Sequence, residues 1–397
     1  MPSYRAFTVD DALRVAARAL SQARGEAVSL ALIGNLGDEE RRNLVLRATA
    51  TAADGSMRRV FVKATRAADY DAASPTAFAT FGFVKEWAAV TMLAEHAARG
   101  DEHAVGVRLL AADPDQGVMV FEDAGDDPPL LVGPLLHGSP EEAEAALTAY
   151  ARALGHLHVA TWKCRAEHEA VVKRTYPLAE VPAPGRRWIE AAAKKLPELL
   201  GGTLPAEEVD ALARRLESPG DWLSLVHRDP CPDNAILSGD GTAILVDFEF
   251  ASLGHMLLDA SYWRMGFPTC WCAGRVPAEV AARIERVYRS TIAAVVRAAA
   301  DNAVFHRERA LMATAWVFDM LSWILEDALK EDGTWGISSY RNRILHYLDA
   351  SIALTGEAEV LPAIRSVFEA WRDLLRARWP KSSPLALYPA FAGADGL

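Results

Sequence analysis

At 397 residues the chain is longer than one hydrophobic core ordinarily organises, so two lobes are the first expectation. Apolar residues make up 51% and charged residues 24%, which excludes a disordered or fibrous polymer. The net charge of −11 speaks against nucleic acid, whose phosphates need a basic face, and leaves an acidic surface that suits a cationic small molecule or serves solubility alone.

Met1 to Arg5 carries no signal-peptide pattern, and no apolar run is long enough for a bilayer, so a cytoplasmic protein without a membrane partner is expected. Thr8 is placed to cap a leading helix from Asp10 to Arg24, and Gly25 ends it. From Ala27 the period changes. Val28 to Ile33, Asn43 to Ala50 and Arg59 to Lys63 read as strands, with turns at Gly34-Asn35-Leu36-Gly37 and Asp54-Gly55. Phe83 to Ala98 is predicted helical, with Phe83, Trp87, Val90 and Ala94 on one side and Gly100 as the stop. Val105 to Leu110 and Val118 to Phe121 form a further strand pair around the Asp113-Pro114-Asp115-Gln116-Gly117 turn.

Beyond Glu122 the chain reads as helical over 140–161, 185–200, 206–216, 277–300, 306–330 and 337–355. The exception is 223–250, where short apolar runs flank Gly239-Asp240-Gly241 as in a small hairpin. The fold class is therefore α+β: a five-stranded antiparallel sheet with one internal helix and a leading helix over 1–122, then a mostly helical second lobe over 123–397. A hinge is expected near Glu122 to Pro129. Four cysteines, Cys164, Cys231, Cys270 and Cys272, imply no disulfide framework, and Cys270-Trp271-Cys272 lacks the second ligand pair of a zinc site, so all four read as structural or incidental thiols.

The chemistry concentrates in His227-Arg228-Asp229-Pro230-Cys231-Pro232-Asp233-Asn234, followed across the hairpin by Val246-Asp247-Phe248-Glu249. Phosphoryl transfer asks a protein to orient an acceptor hydroxyl, hold a metal and neutralise phosphate charge. An Asp and an Asn at the two ends of a short loop serve the first two needs: Asp229 accepts the hydroxyl proton and Asn234 turns to magnesium. Asp247, after the apolar run Ile244-Leu245-Val246, is suited to bridging magnesium and phosphate oxygens.

The segment from Leu225 to Asp259 resembles the aminoglycoside phosphotransferase and choline kinase-like superfamily, whose members share the protein kinase fold and phosphorylate small molecules with ATP and Mg2+. The resemblance implies Asp229 as catalytic base and Asn234 and Asp247 as magnesium ligands, with Asp259 as an organiser of the loop. In the first lobe it implies Lys63 as the lysine that pairs with ATP phosphates and Glu86 as its partner, Glu95 being the fallback. Phe121 and Asp123 fall at the hinge, where backbone groups read adenine. Gly34, Asn35 and Gly37 suit a phosphate-approaching loop, although no Gly-x-Gly-x-x-Gly is present and a plain hairpin turn fits the same residues. His156 and His158 in Leu154-Gly155-His156-Leu157-His158 read as packed structural residues.

His-Arg-Asp is also the protein-kinase spelling. Cys231 stands where Ser/Thr kinases have lysine, and the run from Asp247 to Asp259 is too short for a peptide-docking segment, so a small-molecule kinase is expected over a protein kinase. A pseudokinase is disfavoured because Lys63, Asp229, Asn234 and Asp247 are all present. For the acceptor, Trp316, Asp319, Trp323 and Glu326 share a helix face that offers stacking and ion pairing to a cationic molecule; core tryptophans and solvated acids are the competing reading. The loop from Phe267 to Arg275 is a second candidate wall. The expected acceptor is a hydroxyl-bearing antibiotic, with a metabolic amino alcohol or sugar as the alternative.

Overall fold

Thr8 opens the first helix with a capping box: its hydroxyl accepts from the Asp11 amide at 3.1 Å, and Asp11 Oδ2 accepts from the Thr8 amide at 3.1 Å. In the computed structural model, which describes residues 4–36, 42–74, 76–101, 106–125, 128–178, 185–238 and 241–393, the chain forms two compact units. The first comprises Met1–Pro128, Arg165–Val181 and Val246–Ala251, and the second Pro129–Cys164, Pro182–Leu245 and Ser252–Leu397.

The first unit contains α1 (Val9–Arg24), β1 (Val28–Asn35), β2 (Asn43–Ala52), β3 (Met57–Thr65), α2 (Phe78–Ala98), β4 (Leu109–Asp113) and β5 (Val118–Glu122). The strands form one antiparallel sheet in the order β1-β2-β3-β5-β4. Gly55, at φ 81°, makes the β2–β3 turn where the sequence places it. Alternation along β3 decides what each face carries. Val60, Val62 and Ala64 enter a core with Ala12, Val15, Ala16 and Ala19 of α1, so Phe61 and Lys63 point to the opposite face. Burying that apolar set contributes on the order of 1.5–3 kcal/mol per large side chain.

Two differences from the sequence reading arise here. The first strand of the last hairpin, expected from Val105, which lies outside the described residues, runs Leu109–Asp113 instead, because Ala111 to Asp113 pair with Val120 to Val118 and Asp113 Oδ1 then holds the turn through the Gln116 amide at 3.1 Å. An unpredicted helix, Arg165–Thr175, joins this unit and ties to α2 by His96–Glu167 (3.0 Å) and Arg99–Glu167 (2.8 Å).

The second unit is helical around short strands. Its elements, with the helix just named counted as α5, are α3 (Val132–His137), α4 (Pro140–Ala160), α6 (Arg186–Leu200), α7 (Ala206–Glu217), β6 (Leu223–Val226), β7 (Ala235–Leu237), β8 (Ala243–Leu245), β9 (Ser252–His255), α8 (Leu257–Ala260), α9 (Ala278–Ile292), α10 (Asn302–Lys330), β10 (Thr334–Trp335), β11 (Ser338–Ser339), α11 (Tyr340–Glu357) and α12 (Pro362–Arg378). β7 and β8 are the expected small hairpin, and β6 pairs with β9. α4 packs on α9 so closely that a Cβ on Gly155 would meet Thr291 at 2.9 Å, which accounts for the glycine in the Leu154 to His158 segment.

The helix expected over 277–300 is broken. α9 stops at Ile292, and the Arg289 guanidinium reaches the Ala299 carbonyl from Nε (3.1 Å) and Nη2 (2.9 Å), fixing a tight turn before Asp301 caps α10. α12 was legible but passed over: Ile364, Phe368, Trp371 and Leu375 recur at helical spacing and all are buried. Among the described residues no helix is long and apolar enough to cross a membrane.

Candidate active site

On the open face of the first unit's sheet, Lys63 sits among acids. Its Nζ donates to Glu86 Oε2 at 2.6 Å and to Asp247 Oδ1 at 2.6 Å. The Glu86 side chain is only 3% exposed, whereas Asp247 keeps 38% exposure. Burial works against the Lys63 charge, but Asp247, Glu86 and Glu249 outweigh it and hold the ammonium protonated above the ordinary lysine range. Burial pushes the Glu86 carboxyl up; Lys63 opposes this, and the nearby Asp247 and Glu249 add to it. Glu249 is held in turn by Arg42 at 2.6 Å. Asp247 adopts φ 65°, a left-handed conformation that a non-glycine residue holds only at a cost of about 1–3 kcal/mol.

The hinge residues are structurally committed. Phe121 is buried in β5, in register with Phe61 and Leu109. The Asp123 side chain is 5% exposed, its Oδ2 is 3.2 Å from Arg47 Nε, and its Oδ1 accepts from the Gly125 amide at 3.0 Å, so its carboxylate braces the chain leaving β5. Gly34 and Asn35 end β1 beside an irregularity in the β1–β2 register, and a Cβ on Gly34 would meet nothing within 4 Å. Gly37 lies outside the described residues.

In the second unit, β6 delivers the chain to the His227–Asn234 loop, and Asp259 organises its start. The Asp259 carboxylate accepts from the His227 amide (2.6 Å) and the Arg228 amide (3.0 Å), and His158 Nε2 lies 3.2 Å away. Burial raises its pKa, but His158 and the amides prevail and keep it below the usual range. Those two amide bonds hold Arg228 at φ 68°. His158 Nδ1 lies 2.8 Å from Tyr288 Oη, so this histidine is part of the buried frame.

Asp229 and Asn234 close the loop on each other: Asn234 Nδ2 donates to the Asp229 carbonyl at 2.9 Å and lies 3.5 Å from its Oδ2. Asp229 Oδ1 receives hydroxyls from Thr269 and, at 3.2 Å, Tyr262.

The candidate acceptor residues separate. Trp316 is fully buried with its indole N–H on the Leu258 carbonyl at 2.8 Å. Phe267 is buried against Tyr150, Tyr262 and Tyr388. Trp323 is 68% exposed, and Glu326 is on the surface with Lys330 at 3.1 Å. Asp319 lies by the loop, 3.8 Å from the Arg228 guanidinium, which also sits over the Trp188 and Trp316 rings at 5.5 and 5.6 Å. Burial pushes the Asp319 carboxyl up against the pull of Arg228.

The thiol expectation needs correction at one pair. Cys231 and Cys270 are bridged as a disulfide, with Cα atoms 5.5 Å apart, while Cys164 and Cys272 are buried and outside any disulfide. A sequence separation of 39 between loops gives no pairing signal, which is why the reading missed it.

The profile of the phosphotransferase enzyme family matches residues 36–298, a span that contains Lys63, Glu86, Asp229, Asn234, Asp247 and Asp259. The chain belongs to this family. It is accordingly an ATP-dependent phosphotransferase that acts on hydroxyl groups of small molecules. No curated protein sequence matches it significantly. Among solved structures it is similar to a choline kinase from Cryptosporidium parvum Iowa II, at 11% identity over 86% of this chain and 93% of that one, with a TM-score of 0.46. An aminoglycoside phosphotransferase from Alicyclobacillus acidocaldarius is similar at 14% identity, 88% and 92% coverage and a TM-score of 0.41. A Plasmodium vivax ethanolamine kinase is similar at 10% identity, 87% and 83% coverage and a TM-score of 0.44.

Several residues of this phosphotransferase that sequence reasoning passed over touch its His227–Asn234 loop. Tyr262 and Thr269 bond to Asp229, and Trp271 Nε1 donates to Asp233 Oδ2 at 2.9 Å. Thr269 and Trp271 fall in the Phe267 to Arg275 loop already suspected as a wall. Tyr262 follows Asp259 by three residues and carried no signal of its own.

Proposed function

We propose that this phosphotransferase moves the γ-phosphoryl group of ATP to a hydroxyl of a cationic, hydroxyl-rich natural product, with an aminoglycoside-type antibiotic as first candidate. The observation that carries the acceptor class is Asp233: its Oδ1 is buried and has no hydrogen-bond partner among the described residues, four residues after the loop Asp. A carboxylate oxygen so placed favours a ligand that brings positive charge or N–H donors. Asp319, raised by burial with Arg228 no nearer than 3.8 Å, adds to the demand.

Asp229 is assigned as the base that orients the acceptor hydroxyl and takes its proton as the new P–O bond forms and the bond to ADP breaks. Lys63, positioned by Glu86, neutralises phosphate charge. Magnesium is assigned to Asp247 and Asn234, and two observations support that fit. Asp247 and Glu249 gather with Glu86 around Lys63 and Arg42, and Asp247 keeps 38% exposure. Asn234, its NH2 engaged, offers an oxygen, and oxygen donors with few carboxylates are what magnesium takes beside phosphates. When bound, the ion would offset charge on the phosphate oxygens.

A metabolic amino alcohol is the second reading, favoured by Trp271, 38% exposed and bonded to Asp233, because an aromatic face beside a carboxylate suits an ammonium group. The test is an ATP-turnover screen over aminoglycosides, other antibiotics, amino alcohols and sugars, repeated with Asp229→Ala. Turnover with a cationic hydroxyl compound, reduced at least about 10³-fold in the variant, is expected. Full activity of Asp229→Ala on a confirmed acceptor would remove Asp229 as the base, and exclusive use of neutral sugars would remove the cationic class.

A further inference from the structure

A cavity of about 560 Å³ opens within the second unit, between the chain that follows α8, the start of α9 and one face of α11. Sites that take a small organic molecule run from roughly 300 to 1,000 Å³. None of the residues assigned above to phosphoryl transfer lines it. Its walls are mostly apolar, with Trp263, Val276, Leu354 and Leu387 among them.

The charged residues of the cavity are unequally answered. Arg264 is held by Glu285 at 3.2 Å and Asp349 by Arg376 at 2.9 Å, while Glu279 sits exposed on the first turn of α9. Arg275 is different: its Nε is buried, and its guanidinium makes no hydrogen bond or ion pair among the described residues. His346, 8% exposed, lines the same cavity, and its Nε2 has no partner among the described residues. Burial and the nearby Arg275 charge push the His346 ring down to about 3, so near neutral pH it is uncharged and keeps one N–H to donate.

Backbone packing fixes both residues. The Arg275 amide donates to the Ala386 carbonyl at 2.8 Å, and its carbonyl accepts from the Tyr388 amide at 3.0 Å. Gly274 permits this approach, since a Cβ there would come within 3.1 Å of the Tyr388 ring. Gly266 acts likewise on the His346 side: at φ 72° it passes where a Cβ would meet Leu385 at 2.8 Å and the His346 ring at 3.0 Å. A site held in shape this way loses little freedom when a ligand enters.

A buried guanidinium without a partner is costly, and its planar fork matches the oxygens of a carboxylate or phosphate. We propose that this cavity is a second binding site, for a small organic anion whose carboxylate or phosphate meets Arg275 and His346 and whose apolar body lies against Trp263, Leu354 and Leu387. It calls for the opposite charge to the acceptor proposed above and does not depend on that reading.

The test is isothermal titration of the full-length chain, saturated with magnesium and a non-hydrolysable ATP analogue, using 3-phenylpropionate, phenyl phosphate and the neutral 3-phenylpropanol. At least one anion is expected to bind one to one with a Kd of about 1 mM or below, and the alcohol at least about 10-fold more weakly. Which anion binds better tells a carboxylate ligand from a phosphate one. Arg275→Gln is expected to weaken anion binding about 10- to 100-fold. Ala350→Phe, which grows a ring into the cavity one turn after His346, is expected to abolish it, with thermal melting close to the parent's in both variants. The proposal is overturned by no binding of either anion up to about 10 mM, by an alcohol that binds as well as the anions, or by anion binding unchanged in either variant. If one variant fails to fold, the other decides together with the alcohol. Binding seen only without the ATP analogue also overturns it, because the anion would then occupy the nucleotide site.

Discussion

Lys63 and Asp247, 184 positions apart in the chain, meet at 2.6 Å, Nζ to Oδ1. The same ammonium holds the buried Glu86, so Lys63 neutralises a carboxylate that would otherwise be stranded at 3% exposure, and on the function proposed above it is also the cation that meets phosphate oxygens. Lys63→Ala is expected to reduce kcat/KM for ATP by about 10²- to 10³-fold. It should also lower the melting temperature, because removing one partner of a buried pair costs on the order of 3–5 kcal/mol. Asp247→Asn should leave Lys63 with Glu86, preserve melting, and lose turnover at saturating magnesium; chelation with EDTA should silence the parent enzyme in the same way. Steady-state kinetics and differential scanning calorimetry check the pair. A Lys63→Ala variant with parental KM for ATP would remove the lysine from nucleotide binding.

Asp319 offers a test of the acceptor class. Its carboxyl is raised by burial and only partly answered by Arg228, 3.8 Å away. Asp319→Asn keeps the shape and removes the charge. The KM for a cationic acceptor should rise about tenfold, corresponding to the loss of one charge-assisted contact, while the KM for ATP stays unchanged. Equal effects on cationic and neutral acceptors would make Asp319 a structural partner of Arg228 only.

The Cys231–Cys270 bridge predicts a thiol count. Protein purified without reductant and then unfolded should react with two equivalents of a thiol reagent, at Cys164 and Cys272, and with four after reduction. Closing a loop across 39 positions stabilises by roughly 2–4 kcal/mol, so a dithiol reductant should lower the melting temperature by several degrees. Four reactive thiols at the outset would mean that the two sulfurs are a thiol pair.

How far the sequence reached depends on whether each feature was local. The sheet was legible because strand alternation and turn residues such as Asp54-Gly55 act over a few positions, and the His227–Asn234 motif stood out because its spacing is itself local. Asp259 was legible as an organiser only through the family resemblance, and its carboxylate accepts from the His227 and Arg228 amides. Trp316 and Trp323 were not separable, since helical spacing assigns a face but not what covers it; one is now a core residue on the Leu258 carbonyl and the other is exposed. Thr269, Tyr262 and the cysteine bridge were illegible for the same reason: each depends on tertiary closure around Arg343, whose buried guanidinium gathers carbonyls from 268, 270 and 335.

Acid sensitivity should trace to Glu308 on α10. Burial alone would raise its carboxyl, but the His255 N–H at 3.1 Å and Arg215 at 2.7 Å bring it down to about 2 from an ordinary 4.5. His255 is shifted down by its own burial, so near neutral pH it is an uncharged donor and Arg215 supplies the charge. The folded carboxylate therefore has a lower pKa than the unfolded one. Its contribution is fully present above about 4.5 and is lost as pH falls toward about 2; by linkage it amounts to roughly 3 kcal/mol at neutral pH. His255 adds a separate loss below its ordinary value of 6.5, where the unfolded chain takes up a proton that the buried ring resists. Glu308→Gln should thus be less stable than the parent at pH 7 by roughly 2–3 kcal/mol, and the gap should narrow by about half near pH 3. Guanidinium unfolding at pH 7, 4 and 3 measures it. A gap that stays constant across that range would show that Glu308 acts through packing and hydrogen bonding, with no contribution from its charge.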